Sequence, residues 1–153
     1  MPDSCSFDQL LARCGLPRLE ALALMSLASG RPREWLIAHG PERVEPSLRE
    51  RFEALVQRRQ EGEPIAYLAG AREFHGHRFE VGPAVLIPRP ETEQLVDLVI
   101  DQASPGACVL DLGTGSGAIA VSVARARPDL HMTATDRSPE SLAVARRNAR
   151  ALL

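Results

Sequence analysis

The sequence predicts an α-helical bundle, then a β-hairpin, then the first βαβα part of a doubly wound α/β domain. Three observations carry that prediction. Between Phe7 and Gln60 the chain is punctuated by Gly15 then Pro17, Gly30 then Pro32, and Gly40 then Pro41, each reading as a helix stop followed by a helix start. Between Ala71 and Ile87, apolar residues alternate around Phe74, Phe79 and Val81 with a His75-Gly76 turn among them. Further on, the apolar run Ala107-Cys108-Val109-Leu110 enters Asp111-Leu112-Gly113-Thr114-Gly115-Ser116-Gly117 and opens into another helical run. The expected divisions are residues 1–70, 71–89 and 90–153, with Gln60 to Pro64 as the edge of the bundle.

Within the bundle, Leu48, Phe52, Leu55, Val56 and Arg59 mark one face of its last helix, and Trp35, Leu36 and Ile37 anchor a short one. The hairpin exits through Val85-Leu86-Ile87-Pro88-Arg89-Pro90-Glu91-Thr92-Glu93. Pro88 and Pro90 push Ile87 and Arg89 into extended conformations, so this exit is stiff and runs into a helix with Pro90 at or near its first position. Leu95, Val96, Val99 and Ile100 give that helix an apolar stripe. After the glycine loop, Ala118 to Ala124 form a helix that ends near Arg127-Pro128-Asp129. His131 to Thr135 alternate as a second strand, and a last helix begins near Ser138-Pro139.

The glycine loop reads as a cradle for a nucleotide-like cofactor. Gly113, Gly115 and Gly117 leave no Cβ to hold a ligand off the backbone and permit the unusual φ values of a tight strand-to-helix turn. Free amides at the start of the following helix face whatever sits there. Two ligand classes compete. Gly113, Gly115 and Ala118 satisfy the dinucleotide fingerprint, with Asp136 at about the 20-residue distance of a ribose-binding acid. Against that, Asp111 at the strand end would repel a pyrophosphate, whereas it would attract the ammonium and sulfonium of S-adenosylmethionine. A purely structural turn is the bland alternative. Asp136, at the carboxyl end of the neighbouring strand, is placed to accept both ribose hydroxyls, and Ser138 is available to cap the last helix in its stead.

Composition excludes more than it reveals. A net charge of −2 over 153 residues offers no global field for nucleic acid. Every basic residue is arginine, which removes a Walker-type phosphate lysine. Cys5, Cys14 and Cys108 are odd in number and lack paired spacing, and His39, His75, His77 and His131 are scattered, so neither disulfides nor a metal site are expected. His75-Gly76-His77 reads as a turn. No secretory signal or apolar run of membrane length is present in the sequence, and a cytoplasmic location is expected.

Taken in order, Gly62-Glu63-Pro64-Ile65-Ala66-Tyr67-Leu68-Ala69-Gly70, Arg72-Glu73-Phe74, Leu86 to Glu93 and Asp111 to Gly117 resemble the HemK/PrmC glutamine methyltransferases. The Leu-Ile-Pro-Arg-Pro-Glu-Thr-Glu segment is the most specific part, since the glycine loop alone marks any class I methyltransferase. The resemblance implies a Rossmann-like cofactor domain and methyl transfer from S-adenosylmethionine to the glutamine amide of the Gly-Gly-Gln loop in class I peptide chain release factors. It implies donor contacts from Asp111, Gly113, Thr114, Gly115, Ser116, Gly117 and Asp136, a pocket wall from Arg89 and Thr92, and a bundle that docks the release factor. The family's catalytic Asn-Pro-Pro-Tyr is absent: Asn148 is the only asparagine and Ala149 comes after it. The expectation is therefore an amino-terminal fragment with no catalytic residue and no turnover, prone to self-association where the whole enzyme is a monomer. A non-catalytic release-factor-binding module and an NAD-binding oxidoreductase piece are the rival readings.

Overall fold

The computed structural model describes residues 5–153, so the first four residues of the expected bundle lie outside it. The chain forms two compact units, one ending at Ala69 and the other spanning Gly70–Leu153.

The first unit is helical: α1 (Phe7–Arg13), α2 (Arg18–Ser29), α3 (Arg33–Ala38), α4 (Pro46–Gln60) and α5 (Ile65–Leu68). Ser6 caps α1 through a reciprocal box with Gln9, and Gly30 ends α2 in the left-handed conformation at φ 68°. Helix α2 is the centre of the unit and packs on α1, α3, α4 and α5. Its Ala21, Leu24 and Met25 are wholly buried, against Phe52 and Val56 of α4 and Leu36 of α3. Arg59 of α4 extends the packing with a two-bond ion pair to Glu20 of α2.

Three local readings change. Gly40-Pro41 does not start a helix; α4 begins five residues later with Pro46 in its first turn. A Cβ at Gly40 would lie 2.3 Å from the carboxylate of the exposed Asp8, whose side chain would have to turn aside. Ile37 is exposed rather than anchoring α3. The unit also continues beyond Gln60–Pro64, because the short α5 packs on α2 and α4.

The second unit begins with β1 (Ala71–Phe74) and β2 (His77–Glu80), an antiparallel hairpin pairing Ala71 with Glu80 and Phe74 with His77. The two-residue turn His75-Gly76 has positive φ at both positions, 48° and 71°, the twist that tight hairpins require. A single 3-10 turn over Pro90–Thr92 leads into α6 (Glu93–Gln102), then β3 (Cys108–Leu112), α7 (Ala118–Ala126), β4 (His131–Thr135) and α8 (Pro139–Leu152). Strands β3 and β4 are parallel, Cys108 opposite His131 and Leu112 opposite Thr135. This is the start of a Rossmann-like domain.

The hairpin is part of this unit's core. Phe74 and Phe79 meet edge to face and share one apolar cluster with Val96, Val121 and Val123. Leu95 is half exposed, so the stripe of α6 narrows to Val96, Val99 and Ile100.

Candidate functional site

The glycine loop is held where β3 and β4 end side by side. Both Gly113 and Thr114 donate their amides to the Thr135 carbonyl at 2.8 Å, and Gly117 donates to Thr114. All three glycines take positive φ, 76°, 55° and 78°, a region a side chain enters only with strain. At Gly113 and Gly115 an added Cβ would meet nothing within 4 Å, so the backbone there faces open space. Gly117 has a different reason to be glycine: a Cβ would sit 3.1 Å from Ala145 Cβ and 3.3 Å from its Cα. Its bareness lets α8 approach the start of α7.

The two acids both bind the loop from below. Asp111 accepts the Thr114 hydroxyl at 2.7 Å. Asp136 accepts the Ser138 amide at 2.9 Å and the Gly115 amide at 2.8 Å. Ser138 caps α8 as expected, accepting from Ser141, yet Asp136 is not idle. The Ser138 and Gly115 amides stabilise its charged form, holding its carboxyl below the usual aspartate range. Each carboxylate oxygen accepts a backbone amide, Ser138 on one and Gly115 on the other.

These contacts bear on which ligand the loop suits. A pyrophosphate cradle offers unspent amides, but the amides of Gly113, Thr114, Gly115 and Gly117 are all spent inside the unit. An internal carboxylate already occupies the Gly115 amide.

Of the expected residues, Arg89, Thr92, Gly113, Thr114, Gly115 and Ser116 come together. They line a cleft of about 150 Å³ with Phe74, Leu86, Ile87, Pro88, Ala118 and Ile119. The proline-rich exit and the glycine loop thus form two walls of one space. Pockets for small molecules run to about 300–1,000 Å³, so this cleft is smaller than a whole one. Asp136 and Gly117 line a second, larger groove of about 420 Å³ between α7, β4 and α8, and Asp111 lines neither. Among the described residues no cluster of acids, histidines and cysteines is suited to a metal ion. No helix of the described residues is long and apolar enough to cross a membrane.

Sequence reading missed Asn148. It is 3% exposed, and its amide bonds both the hairpin and the glycine loop. The only signal was an amide on the apolar face of a helix.

Residues 6–70 match the family model of the PrmC N-terminal domain, and residues 103–153 match that of a methyltransferase domain. The chain is 53% identical over 145 residues to a release factor glutamine methyltransferase of Bordetella pertussis, covering 94% of this chain and 54% of that one. A protein of the same name from Neisseria gonorrhoeae is 48% identical over 144 residues, covering 94% and 53%. The Escherichia coli one is 43% identical over 137 residues, covering 89% and 50%. The chain spans about half the length of the curated relatives it matches.

Proposed function

This chain joins a PrmC N-terminal domain to a methyltransferase domain, and on that premise we propose that its second unit binds S-adenosylmethionine for methyl transfer to a release factor. The acceptor is the glutamine side-chain amide of the Gly-Gly-Gln loop in a class I peptide chain release factor, and the helical unit docks that protein. The relatives' names support the substrate. The observation that supports this cofactor is the Asp136 carboxylate seated on the Gly115 amide, which places a negative charge on the loop where a pyrophosphate would be repelled.

When bound, the donor supplies an electrophilic methyl group on a sulfonium. Bare backbone at Gly113 and Gly115 admits it closely. Asp111 would attract its ammonium, Asp136 would accept the ribose hydroxyls, and Thr114, Ser116 and Gly117 would complete the loop that holds it. Arg89 and Thr92 close the opposite wall. An amide nitrogen is a poor nucleophile because its lone pair is delocalised, so transfer needs groups that orient it in line and accept its hydrogens. The Asn-Pro-Pro-Tyr that serves this in the HemK/PrmC family is not in this sequence. The chain by itself therefore holds the donor without turning over.

Calorimetric titration tests the cofactor. S-adenosylmethionine should bind and NAD should not, and Asp136→Ala should weaken binding by at least about tenfold, as expected for losing hydrogen bonds to a charged group. NAD binding alone, or unchanged affinity in Asp136→Ala, overturns the reading. Mass spectrometry of a release factor incubated with chain and donor should show no methyl added.

A further inference from the structure

We propose that Asn148 is the positioning residue that sets the spacing between the two walls of the donor cleft, an inference that rests on the cofactor reading above. Its Oδ1 accepts the Glu80 amide at 2.7 Å, while its Nδ2 donates to the Glu80 carbonyl at 3.0 Å and to the Ser116 carbonyl at 2.8 Å. One buried side chain thus bonds β2 on one side and the glycine loop on the other. Both amide hydrogens are used, so the side chain is fixed in orientation as well as place.

Holding the end of β2 also holds the segment that leaves it. Glu80 is six residues before Leu86, where the proline-rich wall of the cleft begins. Two turns earlier on α8, on the same side of the helix, the Ser141 hydroxyl donates to the Ala84 carbonyl at 2.8 Å. Arg147 clamps the Glu80 carboxylate from the surface with bonds of 2.7 and 3.0 Å. Helix α8 therefore straps residues 80–84 at three points, but only Asn148 also reaches the loop. The N-cap of the same helix, Ser138, donates its amide to Asp136, so α8 is tied to the acid of the β4 end at its start and to the two walls near its finish. Buried polar groups hold a geometry firmly only when every partner is met, and here each one is.

The test compares Asn148→Asp with Ser141→Ala and Arg147→Ala in this chain. The aspartate keeps the shape and the bond from the Glu80 amide but has no hydrogen for the Glu80 or the Ser116 carbonyl. S-adenosylhomocysteine affinity is read by calorimetry, thermal stability by circular dichroism, and amide exchange over residues 113–118 without ligand. Asn148→Asp should lose at least about tenfold in affinity and exchange faster at the loop. The two control variants should stay within about threefold even where their melting points drop as far. A folded Asn148→Asp with unaltered loop exchange overturns the proposal, as does one with unaltered affinity. Should it not fold, Asn148→Ala is read the same way. If neither folds while Ser141→Ala does, Asn148 serves the fold at large and the positioning role is wrong. Failure of the unaltered chain to bind S-adenosylhomocysteine counts against the cofactor reading alone, because loop exchange still decides what Asn148 holds.

Discussion

The two units solve the burial of apolar surface in opposite ways. In the helical unit the central helix α2 is enclosed by its sequence neighbours, and Ala21, Leu24 and Met25 see no solvent. In the α/β unit the helices are packed but the sheet is not. Val109 and Met132 face the core, while Cys108, Leu110 and Leu112 of β3 point outward, the two leucines 56% and 76% exposed. Parallel strands are ordinarily covered on both faces and paired on both edges, whereas among the described residues β3 and β4 pair only with each other. Local helix contacts close a small unit from a short stretch of chain. A parallel sheet needs strands far apart in sequence before it closes.

Hydrogen exchange is the widest test of that contrast. Amides of residues 7–60 should exchange slowly at any protein concentration. Those of 107–150 should exchange fast when dilute and slow down as concentration rises, because exposed apolar strands with free edges invite self-pairing. Equal protection of both units, independent of concentration, would break the comparison.

Single substitutions sharpen it. Phe52→Ala empties the middle of the helical unit, where Phe52 is 1% exposed, and should cost about 3–5 kcal/mol in urea unfolding. Leu112→Ser removes a side chain that the unit leaves in solvent and should cost less than about 0.5 kcal/mol. Sedimentation should show the second variant less associated than the parent chain. A large stability loss at Leu112 would mean that the strand face is covered in solution.

The same division governs what the sequence disclosed. The glycine loop, the helix cap at Ser138, and the His75-Gly76 turn rest on neighbours within a few residues, and all are legible one stretch at a time. Helix α5 was not, since four residues carry no period. Gly40-Pro41 resembled a helix stop and start, but the next helix begins only at Pro46, and the side chain beside Gly40 is Asp8, more than thirty residues away. Gly117 looked like part of the cradle, and its contact with Ala145 lies across the fold. Asn148 bonds residues 68 and 32 positions distant, a pairing no local pattern announces. Of the candidate site, the types of residue were readable and their division between two clefts was not.

A charge pair offers a smaller effect with a definite sign. Arg127 binds both oxygens of Asp129 at 2.7 and 2.8 Å and also donates to the Ile100 and Ala103 carbonyls, tying the end of α7 to the end of α6. The Arg127 hydrogen bonds hold the Asp129 carboxyl down to about 2. A depressed folded value stabilises the fold above the unfolded value of about 3.9 and loses that contribution as pH falls through the folded one. Asp129→Asn should therefore melt below the parent at pH 6, with the gap closing as pH falls from about 4 toward 2. A gap unchanged at pH 2 would show that the charge plays no part.

The finest test uses two serines of the α/β unit, both buried and chemically alike. Ser141 gives its hydroxyl to the Ala84 carbonyl. Ser122 in α7 is 1% exposed, and its hydroxyl has no hydrogen-bond partner among the described residues. A buried hydroxyl without a partner has lost its water and received nothing for it, whereas a satisfied one contributes about 1 kcal/mol and leaves an orphan acceptor when removed. Ser141→Ala should lower stability by about 1 kcal/mol, and Ser122→Ala should leave it unchanged or raise it by up to about 1 kcal/mol, both read in urea unfolding of the α/β unit. Opposite signs from one substitution would establish that α7 is fully enclosed although the sheet beside it is not. A loss at Ser122 equal to that at Ser141 would mean that its hydroxyl finds water, and the core of this unit would then be as open as its strands.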